Sequence, residues 1–369
     1  MQTKDRELII VGFGPAGLGT SIRAHEAGIR SIQTIDPSPH IGSGGLAGVD
    51  IESNSPGDDF TAGYEKSFPR ALDLPEAQPL RGVGRPVNLK LATRFLRSVA
   101  ECVVQEGIVQ HAPERAAKIT ATPNGFHVAT DTQHFVSPRI VLAPGGVEKL
   151  IPELADLDGR TIFTSRDVLS NGRSFELDRA IEKRPHVAII GNSHSAYSVA
   201  DKLLKKFPDI QIDLFKKSPT KPYFDSKEEA AANGYVVSSL DSICPETGKI
   251  NRFDGIRSSA RQLWIDEQAG RLGNRLRSHM NVPIEEIDPD VAIVQATGYT
   301  PRRLPLFHED GSRINYSTRP TQDGYASLHD EANRPLHGAF AIGIGHSGGR
   351  DGTNVYRDQA AQLMLAEIR

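Results

Sequence analysis

Cysteine is scarce in this chain: Cys102 and Cys244 are the only two in 369 residues, and they are far apart. No Cys-x-x-Cys pair exists, which excludes a redox dithiol and a thiolate zinc site. Long apolar runs are also missing. No stretch approaches the roughly 20 apolar residues that a membrane-spanning helix needs. The first six residues are charged and the apolar run after them is short, unlike a secretory signal. A soluble, cytoplasmic protein is the expectation. A surplus of charge is absent as well: 43 Lys and Arg face 46 Asp and Glu, a net of −3, so no global attraction to nucleic acid is expected. There is no low-complexity tract. The length suggests two domains or one large one.

What is present is most concentrated at Leu8-Ile9-Ile10-Val11-Gly12-Phe13-Gly14-Pro15-Ala16-Gly17. A strand-forming run empties into a Gly-x-Gly-x-x-Gly turn, and a helical pattern follows. Gly12 permits the tight turn, Gly14 lets a pyrophosphate approach the backbone, and Gly17 lets the helix pack close to the strand. The positive helix N-terminus then faces the phosphates. A second strand, Ser31 to Ile35, ends in Asp36, placed to bind a ribose hydroxyl. These features predict a dinucleotide site.

The pattern recurs once. His186 to Ile190 is followed by Gly191-x-Ser193-x-Ser195-Ala196 and another helical stretch. Small residues replace two glycines, and the serine hydroxyls can donate to a phosphate. The next strand, Gln211 to Phe215, ends in Lys216-Lys217-Ser218 rather than an acid. Basic residues at that point accommodate a 2′-phosphate, so this unit reads as an NADPH site. The alternative is a solvated lysine pair beside a buried helix N-terminus.

Between the two units the apolar spacing predicts an amphipathic helix from Leu91 to Glu106. Alternating runs at 117–122, 125–130 and 134–142 predict a small antiparallel sheet closing with Ile140-Val141-Leu142-Ala143-Pro144-Gly145-Gly146. A related strand, Val291 to Gln295, leads into Ala296-Thr297-Gly298-Tyr299. A last strand, Ala339 to Ile344, precedes Gly345-His346-Ser347-Gly348-Gly349-Arg350, and a helix from Asn354 to Ile368 ends the chain.

Taken together, these landmarks resemble the two-dinucleotide-binding-domain flavoproteins. The resemblance implies an α/β chain of two Rossmann-like domains, with an NADPH domain inserted into an FAD domain. The FAD contacts are Gly12, Gly14, Pro15, Ala16, Gly17 and Asp36, with Gly145, Thr297 and Gly298 at the crossovers and Gly345 near the C-terminus. The NADPH contacts are Gly191, Ser193, Ser195, Lys216 and Lys217. The implied boundaries are 1–154 and 296–369 for the FAD domain and 155–295 for the NADPH domain, with an excursion near 223–254. Within that superfamily the chain resembles the flavin-containing and N-hydroxylating monooxygenases through Ala296-Thr297-Gly298-Tyr299, preceded by Asp288 and Asp290, and through Ile51-Glu52-Ser53-Asn54-Ser55. In those enzymes an Asn at the place of Asn54 lies beside the flavin and hydrogen-bonds its oxygen adduct. The competing reading of Asn54 is a turn residue before Pro56-Gly57. Thr164 stands where that group usually carries a histidine.

The resemblance implies that NADPH reduces FAD, that the reduced flavin meets oxygen, and that a dry pocket preserves a peroxyflavin until a small-molecule nitrogen or sulfur attacks it or it attacks a carbonyl. His346 and Arg350, in a glycine-rich loop, are candidates for binding substrate or tuning the ring; the plainer reading is that this loop only shapes the backbone. His194 either touches NADPH or fills space. The excursion that begins at Tyr223-Phe224-Asp225-Ser226-Lys227 reads as an ordinary surface insertion or as a substrate-side segment, and Leu263 and Trp264 read as helix packing. Two other functions compete with an amine-hydroxylating monooxygenase: a flavin reductase passing electrons to a quinone or protein, and a non-catalytic FAD sensor.

Overall fold

The computed structural model describes residues 3–155, 157, 159–170, 172–252, 254–320 and 325–346. The helix expected at Asn354 to Ile368, and Arg350 with it, lie outside the described residues. The chain divides into two compact units, one comprising Met1–Ala47, Ser55–Val147 and Thr300–Arg369, the other Gly48–Asn54 and Glu148–Tyr299.

In the first unit the runs Leu8–Val11, Ile32–Ile35 and Ile140–Leu142 are buried along their whole length. The apolar runs Leu8–Val11 and Ile140–Leu142 suit strands covered on both faces, and Ile32–Ile35 is buried with them although it carries Gln33 and Thr34. They lie in a seven-stranded sheet ordered Ser317–Pro320, Tyr325–His329, Pro335–Ile342, Ile140–Leu142, Leu8–Val11, Ile32–Ile35, Gln110–Ala112. Ile140–Leu142 therefore does not close the antiparallel sheet, as the alternating pattern before it suggested. It pairs in parallel with Leu8–Val11 and Pro335–Ile342, because a strand with no polar face cannot border solvent. The second sheet of this unit contains Lys118–Thr122, Gly125–Ala129 and His134–Ser137 as antiparallel neighbours, as expected. Thr3–Asp5 and Leu306–Phe307 extend it at either side. Its inward residues Ile119, Phe126, Val128 and Phe135 share one core with Ile9, Val11, Ile140 and Leu142. The predicted amphipathic helix runs Leu89–Gln105, and the Asn88 side chain caps it by accepting from the Lys90 N–H at 2.9 Å.

The second unit is built on a five-stranded sheet ordered Ile162–Thr164, Ala292–Gln295, His186–Ile190, Gln211–Lys216, Leu276–Met280. Its neighbours all pair in parallel. The excursion after Gln211–Lys216 is not loose surface chain. Phe224, Ile250 and Ile256 are buried, and the Asn251 side chain is fully enclosed, donating to Pro222 O at 3.1 Å and to Asp241 Oδ1 at 2.8 Å. Tyr235 packs edge-on against Trp264 at 5.6 Å. Leu263 and Trp264 are buried in the Ser258–Gln268 helix, as its apolar spacing suggested. Among the described residues, no helix is long and apolar enough to cross a membrane.

One polar cluster in this unit is expected to make stability acid-sensitive. Asp213 accepts from His186 Nε2 at 2.7 Å, His279 Nε2 at 2.8 Å and Arg277 Nε at 3.1 Å. Burial alone would raise its carboxyl, but the hydrogen bonds from His279 and His186 and the charge of Arg277 outweigh this and hold it below the usual range. A depressed folded-state value means the contribution is complete above the unfolded value, about 3.9, and is lost as pH falls through the folded one. Asp213→Asn should therefore lower the melting temperature at pH 7, and the gap from the parent should close on acidification below about pH 4. An equal gap at pH 7 and pH 3 would refute this.

Candidate functional site

The two strand–turn–helix motifs are built alike. The Gly12 N–H donates to Ile35 O at 2.9 Å, and the Ala143 N–H to Val11 O at 2.7 Å; the Gly191 N–H donates to Phe215 O at 3.0 Å, and the Ala296 N–H to Ile190 O at 2.7 Å. In each unit the turn glycine thus sits between the second strand and the end of the crossover strand. The helices that follow, Pro15–Glu26 and His194–Lys206, begin at Gly14 and Ser193, and neither start has a side-chain cap. Their first-turn N–H groups point out of the helix end, which is the geometry that binds phosphate.

Glycine geometry separates the roles within the first loop. A Cβ on Gly12, at φ +103°, would lie 2.0 Å from Ala143 O, and one on Gly17 would lie 2.1 Å from Gly12 O. Those two glycines are required for the chain to pack. Gly14 differs: its φ is −79°, which any residue adopts, and the nearest atom to its Cβ would be Gly44 Cα at 3.4 Å. A Cβ there fills a cradle at the helix start and harms nothing else in the protein. That cradle fits the pyrophosphate of FAD. Sequence reading did not single out its far side, the loop carrying Gly42, Ser43 and Gly44, where the Gly42 N–H donates to Phe13 O at 2.6 Å. The available signal was the glycine cluster directly after Asp36.

Asp36 is half-buried at the end of the second strand. Its Oδ2 accepts from the Phe13 N–H at 2.6 Å and its Oδ1 from the Ser38 N–H at 2.8 Å. Each oxygen keeps a further lone pair for a ribose hydroxyl. Pro15 opens the helix, Ala16 is buried behind it, and Gly145, at φ +73°, has open space where a Cβ would stand. Gly345, at φ +80°, packs on Pro301 so tightly that a Cβ would meet Pro301 Cδ at 2.7 Å. His346 beside it is buried, its N–H donating to Gly343 O at 2.9 Å.

In the second unit Ser193 is exposed at the helix start and Ser195 half-buried. Gly191 repeats the tight approach of Gly12, with a Cβ 2.3 Å from Ala296 O. Thr297 and Gly298 follow, both exposed. Asn192 Nδ2 donates to Ser218 O at 2.8 Å, fastening the loop after the second strand to the glycine turn. His194 Nδ1 is shielded and has no hydrogen-bond partner among the described residues. Burial, with a smaller contribution from Arg257, pushes the imidazole down to about 4, so it is neutral at pH 7.

The two lysines do not act as a pair. Lys216 points inward, its side chain 5% exposed and its Nζ 3.7 Å from Glu267 Oε1. It donates to Tyr197 Oη at 2.8 Å, and that hydroxyl donates to Glu267 Oε2 at 2.8 Å. Burial lowers the Lys216 ammonium and Glu267 opposes it. The correction follows from strand alternation: Ile212, Leu214 and Lys216 share a face, and that face is covered. Lys217 is 79% exposed, with Glu153 Oε1 at 3.5 Å. A cleft of about 690 Å³ is lined by Lys216, Ser218, Lys221, Tyr235, Trp264 and Met280 among others, and Lys217 is not part of that lining.

Asn54 is not in a turn. It lies in the Glu52–Pro56 strand with its residue exposed, and Arg257 Nη1 donates to its carbonyl at 3.3 Å.

Two α/β units, each with a strand–glycine turn–helix motif on parallel strands and with the second inserted between segments of the first, define the class: this is the fold of the two-domain FAD/NADPH flavoproteins. The structure of L-lysine 6-monooxygenase from Pseudomonas syringae is similar across 99% of both chains, with a TM-score of 0.63 at 19% identity. That of the ornithine N-hydroxylase from Kutzneria sp. 744 is similar across 99% of both chains, with a TM-score of 0.62 at 15% identity. More particularly, residues 103–236 match the L-lysine 6-monooxygenase/L-ornithine 5-monooxygenase family model. The CMP-5'-(3-aminopropyl)phosphonate hydroxylase of Streptomyces rubellomurinus is 27% identical over 297 residues, covering 69% of this chain and 66% of that protein. The chain is therefore similar to N-hydroxylating flavin monooxygenases, as its motifs indicated.

Proposed function

We propose that this protein is an NADPH-dependent FAD monooxygenase that hydroxylates the nitrogen of a small primary amine. The observation that carries the reading is the match of residues 103–236 to the lysine/ornithine monooxygenase model, set in a chain with two phosphate-binding turns. The balanced reaction consumes amine, NADPH, a proton and dioxygen, and yields hydroxylamine, NADP⁺ and water. FAD, when bound, supplies the redox chemistry: it accepts hydride from NADPH and activates oxygen.

This chain's residues bind and orient. Gly14 and the uncapped start of Pro15–Glu26 take the FAD pyrophosphate, and Asp36 takes a ribose hydroxyl. Ser193, Ser195 and the start of His194–Lys206 take the NADPH pyrophosphate. The neutral His194 adds no charge there. The exposed Lys217, next in the chain to Ser218, is assigned to the 2′-phosphate of NADPH. Asn54 and the buried His346 are assigned to the flavin and substrate. The lysine, ornithine and nucleotide-linked aminophosphonate named for the relatives set the substrate panel.

Cys102 and Cys244 lie in different units, which disfavours a dithiol reductase; a reductase passing electrons to a quinone or protein is separated by assay. The test is a coupled assay of FAD-loaded protein with that amine panel. At least one amine should stimulate NADPH oxidation and appear as its hydroxylamine. Equal NADPH oxidation with and without every amine, and rapid transfer to a quinone, would favour the reductase instead. Within this reading, Lys217→Ala should raise KM for NADPH about three- to tenfold and leave KM for NADH unchanged, as expected for one exposed charge on one phosphate. A parallel change in both would remove Lys217 from the site.

A further inference from the structure

The segment Gly48–Asn54 belongs to the nucleotide unit, although the chain on either side of it belongs to the other unit. Three consecutive residues hold its end. Arg257 Nη1 donates to Asn54 O at 3.3 Å, Ser258 Oγ to Ser53 O at 3.5 Å, and the Ser259 N–H to Glu52 Oε2 at 3.2 Å. These contacts run in opposite chain directions, 257 to 54, 258 to 53 and 259 to 52, and form a clamp of three rungs. The Asp50 N–H, donating to Leu169 O at 3.0 Å, anchors the segment further back.

Arg257 is itself held from other sides. Its Nη2 donates to Arg252 O, and its guanidinium lies 4.0 Å from the centroid of the Tyr223 ring. A planar guanidinium can serve a carbonyl at each end while stacking on a ring; an ammonium cannot. Ser258 sits at φ +51°, a left-handed conformation rare for a residue other than glycine. Such a conformation persists only where its surroundings fix it, and it clusters at functional sites. Arg257 is also close enough to His194, in the nucleotide turn, for its charge to act on that imidazole.

We propose that Arg257 is a positioning residue: it fixes the backbone of Asn54, the residue assigned to the flavin. The proposal rests on the reading of Asn54 given above. Loosening the clamp by substitution at Arg257 changes no residue of either nucleotide turn. It lets the Asn54 segment move, and the oxygen meant for the amine is then released, with the reducing equivalents from NADPH, as hydrogen peroxide.

The test combines hydrogen exchange with coupling. In Arg257→Ala, the amides of the 50–56 peptide should exchange about tenfold faster, while the buried His186–Ile190 strand stays as protected as in the parent. KM for NADPH should change less than about twofold, whereas the peroxide formed per NADPH rises several-fold. Arg257→Lys, which keeps the charge without the fork, should fall between the two. Unchanged exchange at 50–56 in Arg257→Ala would overturn the clamp. Faster exchange with an unchanged hydroxylamine-to-NADPH ratio would overturn its role. If the parent protein forms no hydroxylamine from any amine, the proposed function falls, and the exchange data still decide the clamp.

Discussion

Gly14→Val is expected to give a folded protein without bound flavin. The reason is the difference among the three glycines of the first turn. Gly14 has an ordinary φ of −79°, and a Cβ there meets only Gly44 Cα at 3.4 Å. The apoprotein therefore tolerates valine. The branched side chain then occupies the cradle at the uncapped helix start, where a pyrophosphate must approach the backbone closely. Flavin retained through purification should drop below about a tenth of the parent level, with circular dichroism unchanged. Gly12→Ala and Gly17→Ala are expected to fail differently. Their Cβ atoms would lie 2.0 Å and 2.1 Å from backbone oxygens, so these variants should not fold. A Gly14→Val protein that remains yellow would remove the FAD pyrophosphate from this turn.

Glu267→Ala is expected to be among the most destabilising single changes in the nucleotide unit. It leaves the Lys216 ammonium, 5% exposed, without its buried counter-charge, and deprives the Tyr197 hydroxyl of its acceptor. Removing one partner of a buried pair costs about 3–5 kcal/mol. In a unit of this size that lowers the melting temperature by roughly 10 °C. The double variant Lys216→Met/Glu267→Leu should recover most of the loss, since replacing both members with apolar residues of similar volume is often close to neutral. If Glu267→Ala melts within about 2 °C of the parent, the pair contributes little and Lys216 is available to a ligand after all.

The outcome for Lys216 shows where sequence reading succeeds and where it stops. The turn at Gly12, the turn at Gly191 and the strands between them were legible because each depends on local rules: an apolar run, glycines at fixed spacing, and a helical period after them. The helix Leu89–Gln105 was legible for the same reason, and its cap at Asn88 is a local signal too. Lys216 was misread because its orientation depends on Glu267 and Tyr197, which are distant in sequence and carry no mark of the contact. Ile140–Leu142 was placed in the wrong sheet because a three-residue apolar run does not name its neighbour. The excursion's small core, closed around the enclosed Asn251, likewise arises from contacts that no periodicity announces. The clamp of Arg257 on Asn54 spans more than 200 positions, a separation that pattern reading does not bridge.

The central claim is that one atom of dioxygen goes to the nitrogen of a small amine while the electrons from NADPH reduce the other to water. The most direct measurement is the mass of the product formed by FAD-loaded protein with NADPH under oxygen-18 gas, using lysine, ornithine and aminopropylphosphonate-type amines. The account predicts a hydroxylamine carrying one heavy oxygen atom, formed in step with NADPH consumed. NADPH consumption with no labelled product from any amine, and with all reducing equivalents recovered as peroxide or reduced quinone, would contradict it.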